Sequence, residues 1–191
     1  MKKERLQLLN QQQRAYCEGT IDFINNEWVF FDSESEEAFP LENFLYREVL
    51  VLRMNQWKKG VLTENFIIEN KHVQYKLKEK DSIRIKKNIL FSFEILLQDL
   101  TDDSFFLFIR KLNDLQFSIF DILYCYNHLH FSVFKKAKGV NFFILDNGEA
   151  ICSVHHHFNY DKTREDRFEF TLNNGKRAIV QQLQRDHKHE H

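Results

Sequence analysis

The chain has 191 residues, 43% of them hydrophobic and 15% aromatic, with 20 Phe. That is enough apolar side chain to bury a core, which excludes wholesale disorder, and the length allows one domain or two small ones. Lys plus Arg (27) nearly cancel Asp plus Glu (28), and the net charge of -1 excludes a global pull toward nucleic acid or anionic membrane.

The N-terminus, Met1-Lys-Lys-Glu-Arg5, has no apolar core or cleavage site of a secretory signal. Apolar runs all fall short of the roughly 20 residues that span a bilayer. Three cysteines, Cys17, Cys125 and Cys152, are too few and too odd for a disulfide framework. These features predict a cytoplasmic protein with no membrane partner. Residues 3–13 read as a short polar helix with Leu6 and Leu9 as its stripe.

From Ala15 the period becomes two, with Cys17, Gly19, Ile21 and Phe23 on one face. Asn25-Asn26 fits a two-residue hairpin turn that pairs Phe23 with Trp28 and Ile21 with Phe30. After the acidic loop 32–37, strands are expected at 48–54, 59–63, 72–78 and 82–86. Five or six short strands predict a small closed module of the SH3-like or OB-like barrel kind, so residues 1–87 form a first domain of N-terminal helix plus barrel. Lys76, Lys78, Arg84 and Lys86 project from strands expected to be neighbours. Such a basic stripe is a candidate nucleic-acid face, although Tyr75 alternates out of phase with it and a solvated surface is the plainer reading.

Residues 88–131 are expected to be a Phe-rich helical segment. One helix covers 88–100 and a second covers 103–115 behind a Thr101 or Asp102 cap. Ser118-x-x-Asp121 reads as a capping box opening a third helix to about His130. After Lys135-Lys136-Ala137-Lys138, four strands at 140–146, 149–158, 166–173 and 176–183 form an antiparallel meander. The Asn147-Gly148 and Asn174-Gly175 turns predict the pairs Phe143 with Cys152 and Phe170 with Ile179. The helices are placed against Phe143, Val154, Phe168 and Phe170. Residues 88–184 thus form a second domain, 185–191 a disordered tail, and the class is α+β.

Chemistry-bearing residue types crowd at Cys152–His157. Strand alternation turns His155 and His157 to one face, and His156 to the other beside Cys152, Val154 and Phe158. His155 and His157, with Cys125 and His128 of Cys125-Tyr-Asn-His128, are candidate ligands for zinc or a similar divalent metal, and so for a metal-dependent hydrolase. The competing reading is a hydrogen-bonded polar strand face and a small buried thiol. The sequence contains no phosphate-binding glycine loop, no Gly-x-Ser-x-Gly and no His-Glu-x-x-His. A non-enzymatic interaction module, with a protein partner or a second copy, is therefore the leading expectation.

Two stretches, Gln12-Gln-Arg-Ala-Tyr16…Trp28-Val-Phe-Phe-Asp32 and Asn141-Phe-Phe-Ile-Leu-Asp-Asn-Gly-Glu149…Arg167-Phe-Glu-Phe-Thr-Leu172, carry a resemblance over nearly the whole chain. The chain resembles a small family of uncharacterised proteins from Bacillus-type bacteria. The resemblance implies a bacterial, intracellular protein and assigns no residue a role.

Overall fold

Turn chemistry sets the frame. Asn25 and Asn26 both take left-handed backbone angles (φ 53° and 68°), as a two-residue type I′ connection requires. The flanking strands pair Phe23 with Trp28 and Ile21 with Phe30, the register read from the sequence. Met54 and Asn55 (φ 49° and 57°) repeat the device in a second hairpin.

The computed structural model describes residues 3–131, 138–161 and 164–184. The chain divides into two compact units, Ala15–Lys87 and Met1–Arg14 together with Asn88–His191. The N-terminal helix, expected to belong with the first strands, therefore belongs with the later residues. The cause is Arg5. Its guanidinium donates to the Leu97 and Leu100 carbonyls and to Asp102 (3.0, 2.7 and 2.7 Å), capping helix-end carbonyls that lack an intrahelical partner.

In Ala15–Lys87 the strands are β1 (Tyr16–Ile24), β2 (Glu27–Asp32), β3 (Ala38–Pro40), β4 (Glu48–Arg53), β5 (Gln56–Leu62), β6 (Ile67–Glu69), β7 (Gln74–Lys76) and β8 (Ser82–Lys86). They form one eight-stranded antiparallel sheet in the order β3-β2-β1-β8-β4-β5-β6-β7. This corrects the expected closed barrel: the edge strands β3 and β7 do not pair with each other. Each edge strand is three residues long, and Pro40 removes a donor from one of them, so neither edge offers a ladder to close on. One face buries Ile21, Phe30, Val49, Val51, Leu62, Ile68, Ile83 and Ile85.

In the other unit α1 (Lys3–Asn10), α2 (Phe91–Asp99) and α3 (Asp102–Asp114) precede a 3-10 turn at Ile119–Asp121. Then come β9 (Ile122–Tyr126), α4 (His128–Phe131), β10 (Lys138–Asp146), β11 (Ile151–Asn159), β12 (Arg164–Leu172) and β13 (Arg177–Gln184). Their antiparallel sheet has five strands, not four, in the order β13-β12-β11-β10-β9. Two sheets and few helices make the molecule mostly β, so the α+β class holds only in part.

Thr101 caps α3, its hydroxyl accepting from the Ser104 amide (3.2 Å). Phe93 of α2 and Phe108 of α3 meet the inner face of the sheet as expected. Phe108 lies 5.6, 4.9 and 6.0 Å from the rings of Phe143, Phe168 and Phe170, and Phe93 lies 5.2 Å from Phe143. Such ring pairs add about 0.5–1.5 kcal/mol each beyond area burial.

The helix expected over 118–131 is a correction. The capping box forms, with the Asp121 carboxylate accepting from the Ser118 amide at 2.6 Å, but it opens only a 3-10 turn. Arg14 then clamps Asp121 bidentately at 2.7 and 2.6 Å. The run Ile122-Leu-Tyr-Cys-Tyr126 becomes a strand, because a five-residue apolar run rich in aromatic and β-branched side chains suits a pleat once a partner strand is beside it.

Both later hairpins also differ in register. Asn147 accepts from the Glu149 and Ala150 amides (2.9 and 2.8 Å), which makes a four-residue connection and pairs Leu145 with Cys152 and Phe143 with Val154. The offset of two keeps every side chain on its expected face. At Asn173–Gly175 the Leu172 amide reaches the Lys176 carbonyl (2.9 Å) and only Gly175 takes a positive φ (85°). This is a three-residue loop closed by a left-handed Gly. It pairs Phe170 with Ala178 and Glu169 with Ile179, a slip of one that turns Ile179 and Leu183 outward, each 58% exposed. The expected tail and the lysines of 135–136 lie outside the described residues.

Candidate binding face

Along β11 burial alternates without a break, so Cys152, Val154, His156 and Phe158 face inward while His155 and His157 face out. The sequence predicts this parity.

Inward, His156 is fully buried and stacks on Phe168 (4.3 Å, 12°). Its partners fix its tautomer. The Leu129 amide donates to Asn141 Oδ1 (3.1 Å), so the Asn141 amide group donates to His156 Nδ1 (3.0 Å). The ring proton therefore sits on Nε2 and is donated to Asp166 Oδ1 (2.8 Å). Asp166 also accepts from Ser104 Oγ and Tyr160 OH, both at 2.5 Å. Burial, opposed by Asp166, pushes His156 below the ordinary imidazole value, so the ring is neutral. Burial alone would raise Asp166, but the bonds from His156, Ser104 and Tyr160 together hold it below the ordinary carboxylate value. Ser, His and Asp meet here without forming a nucleophile relay. The serine hydroxyl donates to the carboxylate rather than the imidazole, and the group has no opening to solvent. Its role is to tie α3, β10, β11 and β12 together.

Outward, apolar side chains gather on the other side of the same strands. Tyr124 and Tyr126 of β9, Val140, Phe142 and Ile144 of β10, and His155 and His157 of β11 share one face through the pairs Tyr124–Ile144, Tyr126–Phe142, Phe142–His155 and Val140–His157. Phe142 lies 6.3 Å from Tyr124 and 5.1 Å from His155 between ring centres. Tyr124 is 50% and Tyr126 48% exposed. A β-bulge skips Leu123, leaving it 61% exposed at the margin. On β12 the face turns charged, where Arg167 pairs with Glu169 (2.6 Å) and Glu169 approaches His157 Nε2 (3.5 Å).

The four expected metal ligands do not converge. His155 and His157 lie side by side, with ring centres 6.3 Å apart. Cys125 sits opposite Phe143 in the ladder and so belongs to the inner face, where burial pushes its thiol up to about 11 and keeps it protonated. His128 opens α4, its ring stacked on Tyr126 (6.4 Å) and near Phe158 (6.2 Å). The cause is the strand at 122–126: the helical spacing that would have set Cys125 beside His128 is not there. Among the described residues no group of three or more His, Cys, Asp or Glu is placed to hold a metal ion.

The basic stripe is likewise dispersed. β7, next to Lys78, and β8 are separated by three strands in the sheet rather than adjacent. Lys76 and Lys78 are exposed, but Arg84 is bonded to Glu18 (2.7 Å) and lies 4.1 Å over the Trp57 ring, while Lys86 approaches Glu48 (3.7 Å). Sequence reasoning expects an interaction surface on a helix at 118–131, which supplies Tyr124 and Tyr126, but misses that these lie on a strand beside Phe142 and Ile144. The signal of that outer face is the unbroken run Phe142-Phe-Ile-Leu145 in an antiparallel strand, where a face open to water should have alternated polar residues.

The chain belongs to the family described as protein of unknown function (DUF2777), whose model matches residues 3–182. It is 27% identical over 178 residues to the uncharacterized protein YisN of Bacillus subtilis (strain 168), covering 93% of this chain and 91% of that one. No solved structure matches the chain. The expected relationship to uncharacterised Bacillus-type proteins is thereby established. No helix among the described residues is long and apolar enough to cross a membrane.

Proposed function

We propose that the protein is a non-enzymatic binding module that holds a protein partner on the outer face of its five-stranded sheet. The observation that carries this is the row Tyr124, Tyr126, Phe142 and Ile144. It is continuous across two neighbouring strands and extended by His155 and His157, with Arg167 and Glu169 at its border. Aromatic centres with a charged rim are the composition of protein interfaces, and exposed apolar side chains grouped rather than scattered mark such sites. The four side chains that sequence alone offers to a metal do not converge, and the four it offers to nucleic acid do not form one stripe, which favours this face as the better-supported reading.

Phe142→Asp tests it. The purified protein, wild type and variant, is sized in solution and used to capture partners from a Gram-positive lysate. The expected result is a stoichiometric partner, or a dimer of the chain itself, with wild type and neither with Phe142→Asp at unchanged circular dichroism. A wild-type monomer that retains nothing, or a partner held equally by both, overturns the reading.

A further inference from the structure

The Ala15–Lys87 unit contains a 240 Å³ cleft at the Asn25-Asn26 end of its first hairpin, lined by Phe23, Asn26, Glu27, Trp28, Pro40, Glu42 and Phe66. Three rings form its wall: Phe23 and Phe66 flank Trp28, with centres 5.3 and 6.5 Å away and planes tilted 58° and 43° to it. Phe66 takes a left-handed backbone angle (φ 54°) at the end of a turn in which its amide bonds the Thr63 carbonyl (2.9 Å). Left-handed backbone is costly for a bulky residue and concentrates where the surrounding structure holds it for a purpose. Glu27 and Glu42 are exposed at the rim, and among the described residues no Lys or Arg lines the cleft.

Elsewhere this protein covers aromatic faces with its own guanidinium groups. Arg84 lies over Trp57, Arg47 over Phe44, Arg5 over Phe105 and Arg164 over Tyr160, at 4.1–5.3 Å from the ring centres. Of the two tryptophans, Trp57 has its cation, whereas among the described residues none lies over Trp28.

We propose that this cleft binds a small quaternary ammonium cation. The rings supply the negative faces that attract a cation, with tryptophan the strongest, and the two carboxylates add a field of the matching sign. A fully methylated nitrogen has no N–H to satisfy, which suits a wall of rings better than a primary ammonium would. The volume lies just below the roughly 300–1,000 Å³ of drug-sized sites and so fits a head group rather than a large cofactor. The occupant is a free small molecule rather than an extended peptide, because Pro40 lacks the amide that strand addition on β3 would use.

Choline and its neutral isostere 3,3-dimethyl-1-butanol are titrated into the full, nitrogen-15-labelled chain, and the two indole N–H signals are followed. Choline is expected to shift Trp28 and leave Trp57 in place, with the neutral isostere about tenfold weaker. The double variant Glu27→Gln and Glu42→Gln, whose side chains make no bond among the described residues, is expected to weaken choline several-fold and flatten its salt dependence. Trp28→Phe is expected to weaken it further while keeping the hairpin. Equal affinity for the isostere, a shift confined to Trp57, or no saturable shift of Trp28 would overturn the proposal.

Discussion

Three consecutive histidines on one strand meet two different environments. Inward, His156 has both ring nitrogens engaged, a phenyl ring stacked on it and an ionised carboxylate at 2.8 Å. Outward, His155 and His157 lie among half-exposed aromatics, with one loose approach to Glu169 at 3.5 Å. The residue type is the same, and the pleat alone sets one ring into the buried hydrogen-bond network and the other two on the outer face. A histidine-rich string is thus a poor guide to chemistry until each ring's partners are known.

The largest expected effect breaks the inner side. Asp166→Ala leaves His156 and Ser104 as buried donors, and Tyr160 as a half-buried one, without an acceptor and is expected to cost about 3–5 kcal/mol, read as a lowered urea midpoint at constant slope. Phe108→Ala, which removes the ring that meets three others on the sheet, is expected to cost a similar amount, about 3–5 kcal/mol. A loss below 1 kcal/mol at either position would show that the inner face relaxes far more than its packing implies.

A titration sharpens the contrast. His156 is held below its ordinary value of 6.5, so as pH falls below that value the unfolded chain takes up a proton that the native ring refuses. The unfolded state then binds more protons, and stability drops with falling pH, by no more than about 1.4 kcal/mol per unit from this one group. Asp166, also held below its ordinary value of 3.8, acts in the same direction in stronger acid, and what it contributes is lost as pH falls through its folded value. Urea unfolding at pH 7 and pH 5 should show the first loss, and His156→Gln should flatten it. Equal slopes in the two proteins would mean that another group carries the acid sensitivity.

The smallest effect belongs outside. His155→Ala and His157→Ala are each expected to change stability by less than about 0.5 kcal/mol, while weakening whatever partner the face retains. If either change instead cost as much as Asp166→Ala, the distinction between the two faces would fail.

How far the sequence foretells these features depends on how local their causes are. The first hairpin was legible because two adjacent asparagines fix both its turn and its register. The facing of 151–159 was legible because alternation survives an even slip in pairing. The last strand was not, since Asn174-Gly175 serves a three-residue loop as readily as a two-residue one, and an odd slip reverses its faces. Residues 122–126 were misread as helix because a short apolar run takes whichever shape its neighbours complete. The network around His156 was hidden for another reason: its partners Asn141 and Asp166, and Ser104 that bonds Asp166, arrive from separate elements, and only the assembled fold brings them within bonding distance. The cleft at Trp28 was half visible, as the Phe23–Trp28 pair, while Phe66 and Pro40 reach it from elsewhere.

Arg14 grips Asp121, and Lys87 donates its amide to the Ala15 carbonyl at 2.9 Å. The stretch between those last two residues therefore begins and ends at a single point, like a loop tied at its neck. All of it leaves the ribosome before residues 97–102, which hold Arg5 of the opening helix. A gene with codons 15–87 replaced by a short glycine-rich spacer should yield the five-stranded sheet by itself, and the excised segment should survive as an independent miniature protein.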